Sequence, residues 1–164
     1  MNARLVLAGL TIMLPATSSA QYPTGSNRAA VVGLSAAYIA SALFGAHIAI
    51  RDTLHEAPFG IHFPQSVKAD FLTGGGTALS PGLPMLVVHA TIAAMTAGPM
   101  PTSRKATHAL AVGGVLYFGG QLCEPITWRL FRHPKSAPRD RLLVAATNII
   151  IPALMTGASI RALK

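Results

Sequence analysis

The chain predicts an all-α fold: a four-span transmembrane helical bundle behind an N-terminal signal peptide. Three observations point there. Only 11% of its 164 residues are charged and 51% are hydrophobic, with a mean hydropathy of +0.49, whereas soluble domains carry about 25% charged residues. The charges it does have stand at the ends of long uncharged runs, where membrane topology places them. One of those runs carries a ladder of small residues at helical spacing, the pattern by which helices approach each other in lipid.

The same features exclude other classes. A net charge of +8 would suit nucleic acid, but the cations flank apolar runs and no RNA- or DNA-binding motif accompanies them. The single cysteine, Cys123, excludes an internal disulfide and a cysteine-based zinc site. Neither a cofactor nor a metal is expected.

Residues 1–20 read as a secretory signal. Arg4 supplies the positive end, Leu5 to Leu14 is too short to span a bilayer, and Ser18-Ser19-Ala20 offers a cleavage site. The remainder, 21–164, forms one integral-membrane bundle with spans of about 29–50, 80–98, 106–123 and 142–163.

The first span, Ala29 to Ile50, lacks Asp, Glu, Lys and Arg and is bracketed by Arg28 and Arg51. At about 1.5 Å per residue it crosses the roughly 30 Å hydrocarbon core. Its ladder runs Ala29, Gly33, Ala37, Ser41, Gly45, Ala49, one step every four residues along a single ridge. Gly33, Ala37, Ser41 and Gly45 are therefore the expected helix-packing positions.

Between Arg51 and Ser80 the sequence is mixed, and Pro58 and Pro64 break any long helix. Gly74-Gly75-Gly76 reads as a flexible joint in a connection lying on the membrane surface. Asp52, His55, Glu56 and His62 lack the spacing of a metal site and read as a solvated loop. The second span enters at Pro81 and Pro84 and ends at Gly98 and Pro99. The third contains Gly113, Gly114, Gly119 and Gly120, further close-contact positions. Ahead of the fourth lies a basic segment in which Trp128, Arg129, Arg132, Lys135, Arg139 and Arg141 suit anionic lipid headgroups.

That segment sets the orientation. With 124–141 inside, the inner loops hold Arg51, Lys68 and the five cations just named, against Arg28, Arg104, Lys105, Arg161 and Lys164 outside. The positive-inside rule then makes 124–141 cytoplasmic, in a plasma membrane.

At that orientation His47, His89, Gln121, Glu124 and Asn148 share the inner half of the bundle and form a candidate polar cluster. The leading function is helix association, as a homo-oligomer or as an accessory subunit beside another membrane helix; catalysis is not favoured. The alternatives use the polar cluster: a small proton-coupled carrier, or an enzyme acting on a lipid or isoprenoid with Glu124 and a histidine as acid and base.

A reporter fused within 136–138 is expected to be cytoplasmic, and one fused after Lys164 to be external. A cytoplasmic carboxyl terminus would remove one span, the short 80–98 run first.

Overall fold

The structure, a computed structural model, describes residues 25–55, 66–99 and 101–164. The expected signal segment lies outside the described residues. Six helices follow in order: α1 (Gly25–Arg51), α2 (Val67–Thr73), α3 (Leu83–Ala97), α4 (Thr102–Cys123), α5 (Pro125–Arg132) and α6 (Arg139–Leu163). The described residues hold no strand.

Helix α6 packs against α1 and α4, and α3 closes the far side against the same two helices. At one end Arg28 meets the carboxyl end of α3, and Val31, Ala93, Leu110 and Ala162 form a common core. At the other end Arg51 meets Asp140. The four long elements therefore run alternately up and down.

Polarity is inverted relative to a water-soluble bundle. Val87, Val112, Val115, Leu116, Leu143 and Leu154 are each more than half exposed, while Ser35, Thr96, Thr107, Asn148 and Ser159 are buried. Two of these buried hydroxyls are satisfied within their own helix. Thr96 donates to the Ile92 carbonyl at 3.0 Å and Thr107 to that of Ser103 at 2.7 Å. In hydrocarbon a polar group has no water to bond, so such bonds must be internal.

Helices α1 and α6 are long and apolar enough to cross a membrane. Helix α4 and the short α5 make a third candidate if taken together, although they are bent by 65° at Glu124. Helix α3 has 15 residues and is a shorter apolar helix.

Its shortness has a cause. Residues 77–80, bordering the expected span, form a buried turn instead. Thr77 N–H donates to the Ser80 carbonyl at 2.7 Å, and Ser80 N–H returns the bond at 3.2 Å. Ala78 and Leu79 are fully buried. Two glycines shape the approach: Gly74 ends α2 at φ 110° and Gly76 turns at φ 80°, both in the left-handed region that favours glycine. Gly74-Gly75-Gly76 is thus a helix cap and a tight turn, where a flexible surface joint was expected.

The turn inserts between α1 and α6, and Gly45 makes room for it. A Cβ at Gly45 would meet the Leu79 carbonyl oxygen and come within 2.9 Å of Val144 Cγ1. Gly114 serves α4 in the same way, since a Cβ there would meet Thr156 Oγ1 and lie 2.8 Å from the Pro152 carbonyl. By contrast, a Cβ at Gly33, Gly119 or Gly120 would meet nothing within 4 Å.

Gly45→Ala is expected to destabilise the bundle by about 1–3 kcal/mol, the usual cost of forcing a group into a packed site. Gly33→Ala should stabilise it slightly, since alanine is about 1 kcal/mol the better helix former. Thermal unfolding of the two variants in detergent checks the opposite signs.

Candidate functional site

The residues predicted from sequence to form one polar cluster occupy three places. Asn148, fully buried on α6, is the first. Its Nδ2 donates to the Leu79 carbonyl at 2.8 Å, and its Oδ1 accepts from Ser41 Oγ at 2.8 Å. Ser41 also bonds Thr147 at 2.7 Å. One amide therefore ties α6 to α1 and to the buried turn. The second place is the exposed face of α1, where His47 lies.

The third is a cleft of about 170 Å³ walled by α1, α3, α4 and the buried turn. Gln121 and Glu124, both buried near the carboxyl end of α4, line its polar end with Thr77 and Ser80. Pro125 follows Glu124 and starts α5, so Glu124 sits in extended backbone (φ −75°, ψ 122°) at the joint between two helices. Gln121 Nε2 donates to Thr127 Oγ1 at 2.7 Å, clamping α5 onto α4.

Toward the bundle centre the cleft is lined by Tyr38 and Tyr117, whose ring centroids lie 4.7 Å apart. His89 packs edge-on against both rings, at 5.5 Å from Tyr38 and 5.3 Å from Tyr117. It is 2% exposed, and its Nε2 has no hydrogen-bond partner among the described residues. Tyr117 Oη reaches the Met85 carbonyl at 3.4 Å, bridging α4 to α3.

The two tyrosines were not singled out from sequence. A tyrosine inside an apolar run counts as hydrophobic, but its hydroxyl still needs a partner at membrane depth. That requirement was the available signal.

The packing positions divide along the ladder. Gly45 is buried and Ser41 half-buried, whereas Gly33 and Ala37 are exposed. The basic residues sit at the α5 end of the molecule. Helix α5 buries Ile126, Thr127 and Leu130 and presents Trp128, Arg129, Phe131 and Arg132 outward. Trp128 Nε1 donates to the Leu122 carbonyl at 2.7 Å. Lys135 and Arg139 are exposed, while Arg141 is half-buried and engaged elsewhere.

Its partner is Asp52, bonded by Arg141 Nη2 at 2.8 Å and by Arg51 Nε at 2.7 Å. Arg51 also reaches Asp140 at 3.0 Å. This ionic clasp joins the last residues of α1 to the first of α6. Hydrogen bonds from Arg51, then Arg141, hold the Asp52 carboxyl well below the usual carboxylate range against some desolvation. Of the other residues considered for a metal, His55 is exposed and Glu56 and His62 lie outside the described residues.

Together these features define a small helical protein with two or three candidate membrane spans and a polar cleft at one end of the bundle. No family model, curated relative or solved structure matches the chain.

The clasp gives a pH dependence. Because the folded-state pKa of Asp52 is depressed, its contribution is complete above the unfolded value of about 3.9 and is lost as pH falls from there through the folded value. The part of thermal stability in detergent that Asp52 contributes should therefore be constant over pH 5–7 and fall below about pH 4. The acid-induced drop should be smaller in Asp52→Asn.

Proposed function

We propose that the chain is a four-span integral membrane protein that acts by helix association, as a homo-oligomer or as the accessory subunit of a larger assembly. The observation that carries this is the inverted polarity: large aliphatic side chains face outward on α1, α3, α4 and α6, and the polar ones face in. Water would penalise that surface; hydrocarbon would not. Helix α3 reaches only about 22 Å at 1.5 Å per residue, and the buried turn would supply the remaining depth of its crossing.

Association is supported by the half of the α1 ridge that the bundle leaves unused. Ala29, Gly33 and Ala37 are exposed, with open space beyond Gly33. Small residues on a lipid-facing ridge allow a second helix to approach closely, whether from another copy or from a different protein. In this proposal the plasma membrane holds the bundle with 124–141 cytoplasmic, behind a cleaved signal, and Arg129, Arg132, Lys135 and Arg139 contact anionic headgroups.

The cleft favours a second possibility, the carrier or the lipid-active enzyme. His47 is exposed and Asn148 is committed to Ser41 and Leu79. The titratable groups left for such chemistry are Glu124 and the Tyr38–His89–Tyr117 set.

Cysteine crosslinking in lipid nanodiscs, on a Cys123→Ser background with Ala37→Cys as reporter, tests association. We expect dimers that disappear in Gly33→Leu while the variant keeps its thermal stability. Equal crosslinking in Gly33→Leu, or none in the parent, would contradict association through this ridge.

A further inference from the structure

We infer that α5 lies in the plane of the membrane surface as an interfacial helix seated on anionic phospholipid, and that it is not the end of the third span. The inference rests on the membrane reading above. It adds where α5 sits, which of its edges meets the acyl chains and what charge the lipid around it carries.

The first observation is the bend. Helix α4 has 22 residues and at about 1.5 Å per residue reaches about 33 Å, enough for the roughly 30 Å hydrocarbon core without α5. The chain then turns by 65°, which carries α5 from an upright α4 most of the way to the membrane plane. Three residues fix the turn. Pro125 has no N–H with which to continue the α4 ladder. Glu124 is in extended backbone (φ −75°, ψ 122°). Gln121 Nε2 holds α5 in place by its 2.7 Å bond to Thr127 Oγ1.

The second is the division of the α5 surface. Ile126, Thr127 and Leu130 are buried against the bundle. At 3.6 residues per turn the outward residues follow in the order Phe131, Trp128, Arg132, Arg129, with neighbouring positions about 40–60° apart. Phe131 and Trp128 therefore form an aromatic edge on one side of the buried face, and Arg132 and Arg129 a basic edge on the other. A helix lying flat turns the first edge to the acyl chains and the second to the headgroups, the arrangement of an in-plane amphipathic helix. Trp128 is 49% exposed and Phe131 39%. The indole N–H is already bonded to the Leu122 carbonyl at 2.7 Å, so the ring meets the acyl boundary without an unsatisfied donor.

The third is charge. At this end of the bundle Asp52 and Asp140 are engaged by Arg51 and Arg141. Arg132, Lys135 and Arg139 are exposed and take no part in that clasp. Just past α5, Arg132 and Lys135 line one hollow with His133 and Ser136. Cations beside an aromatic edge match a leaflet whose phosphates carry net negative charge. A zwitterionic surface offers the aromatic edge the same boundary but gives the three cations no net charge to meet.

Trp128 is the single tryptophan of the chain, so its fluorescence reports on α5 alone. The full chain would be reconstituted in vesicles of phosphatidylcholine and phosphatidylglycerol. The quenchers would be phospholipids carrying a nitroxide either high on the acyl chain or near its end. Trp128 is expected to be quenched about threefold more by the shallow label than by the deep one. A shallow label on phosphatidylglycerol should quench about threefold more than the same label on phosphatidylcholine. Arg132→Gln, Lys135→Gln and Arg139→Gln together should remove that second difference at unchanged thermal stability.

Stronger quenching by the deep label would make α5 part of a span and overturn the inference. So would quenching by aqueous acrylamide in place of either lipid. Equal quenching by the two lipid classes, or a difference that survives in the triple variant, would overturn the anionic partner. A Trp128→Phe, Val115→Trp variant separates these failures from failure of the membrane reading. Its tryptophan is expected to be quenched most by the deep label. With that result in hand, any outcome above refutes the inference alone; without it, the membrane reading falls as well.

Discussion

The bundle depends on a polar backbone turn held in its interior. Residues 77–80 are buried between α1 and α6, and their carbonyl and N–H groups need partners inside the protein. Thr77 and Ser80 bond each other, and the Leu79 carbonyl accepts from Asn148. Gly45 provides the space, because any side chain there would meet the Leu79 carbonyl. Removing either Asn148 or Gly45 would disturb three elements together. The consequences reach the cleft, since Thr77 and Ser80 form part of its wall.

Charge is confined to the ends of this frame. At one end the Arg28 guanidinium donates to the Thr96 and Gly98 carbonyls, occupying the acceptors that the last turn of α3 leaves unbonded. At the other, Arg51, Asp52, Asp140 and Arg141 clasp α1 to α6. The cleft lies near the second of these ends, where Gln121 and Glu124 line it beside the α4–α5 joint.

How much of this could be read in the sequence differs from element to element. The long apolar helices are legible because absence of charge over twenty or so residues has few other meanings. Asn148 is legible as a buried polar residue, but its partner is not, since the acceptor is the backbone of a non-helical turn that no side-chain pattern announces. Gly45 and Gly33 look alike in the ladder, and only the tertiary fold separates the one that is packed from the one that is open. The triple glycine was misread because composition does not distinguish a flexible joint from a positive-φ cap. Tyr38 and Tyr117 escaped notice because periodicity scores them as apolar, although their rings build the deep end of the cleft.

The central claim is that the apolar outer surface faces hydrocarbon. Nitroxide labels at Val115 and Leu154, on a Cys123→Ser background in phospholipid bilayers, measure this directly through collision rates with oxygen and with a water-soluble nickel chelate. Both positions are more than half exposed. The account predicts that oxygen collisions dominate at both, with the nickel chelate excluded, and that a label at Arg132 shows the reverse. Ready access of the nickel chelate to Val115 and Leu154 would contradict it.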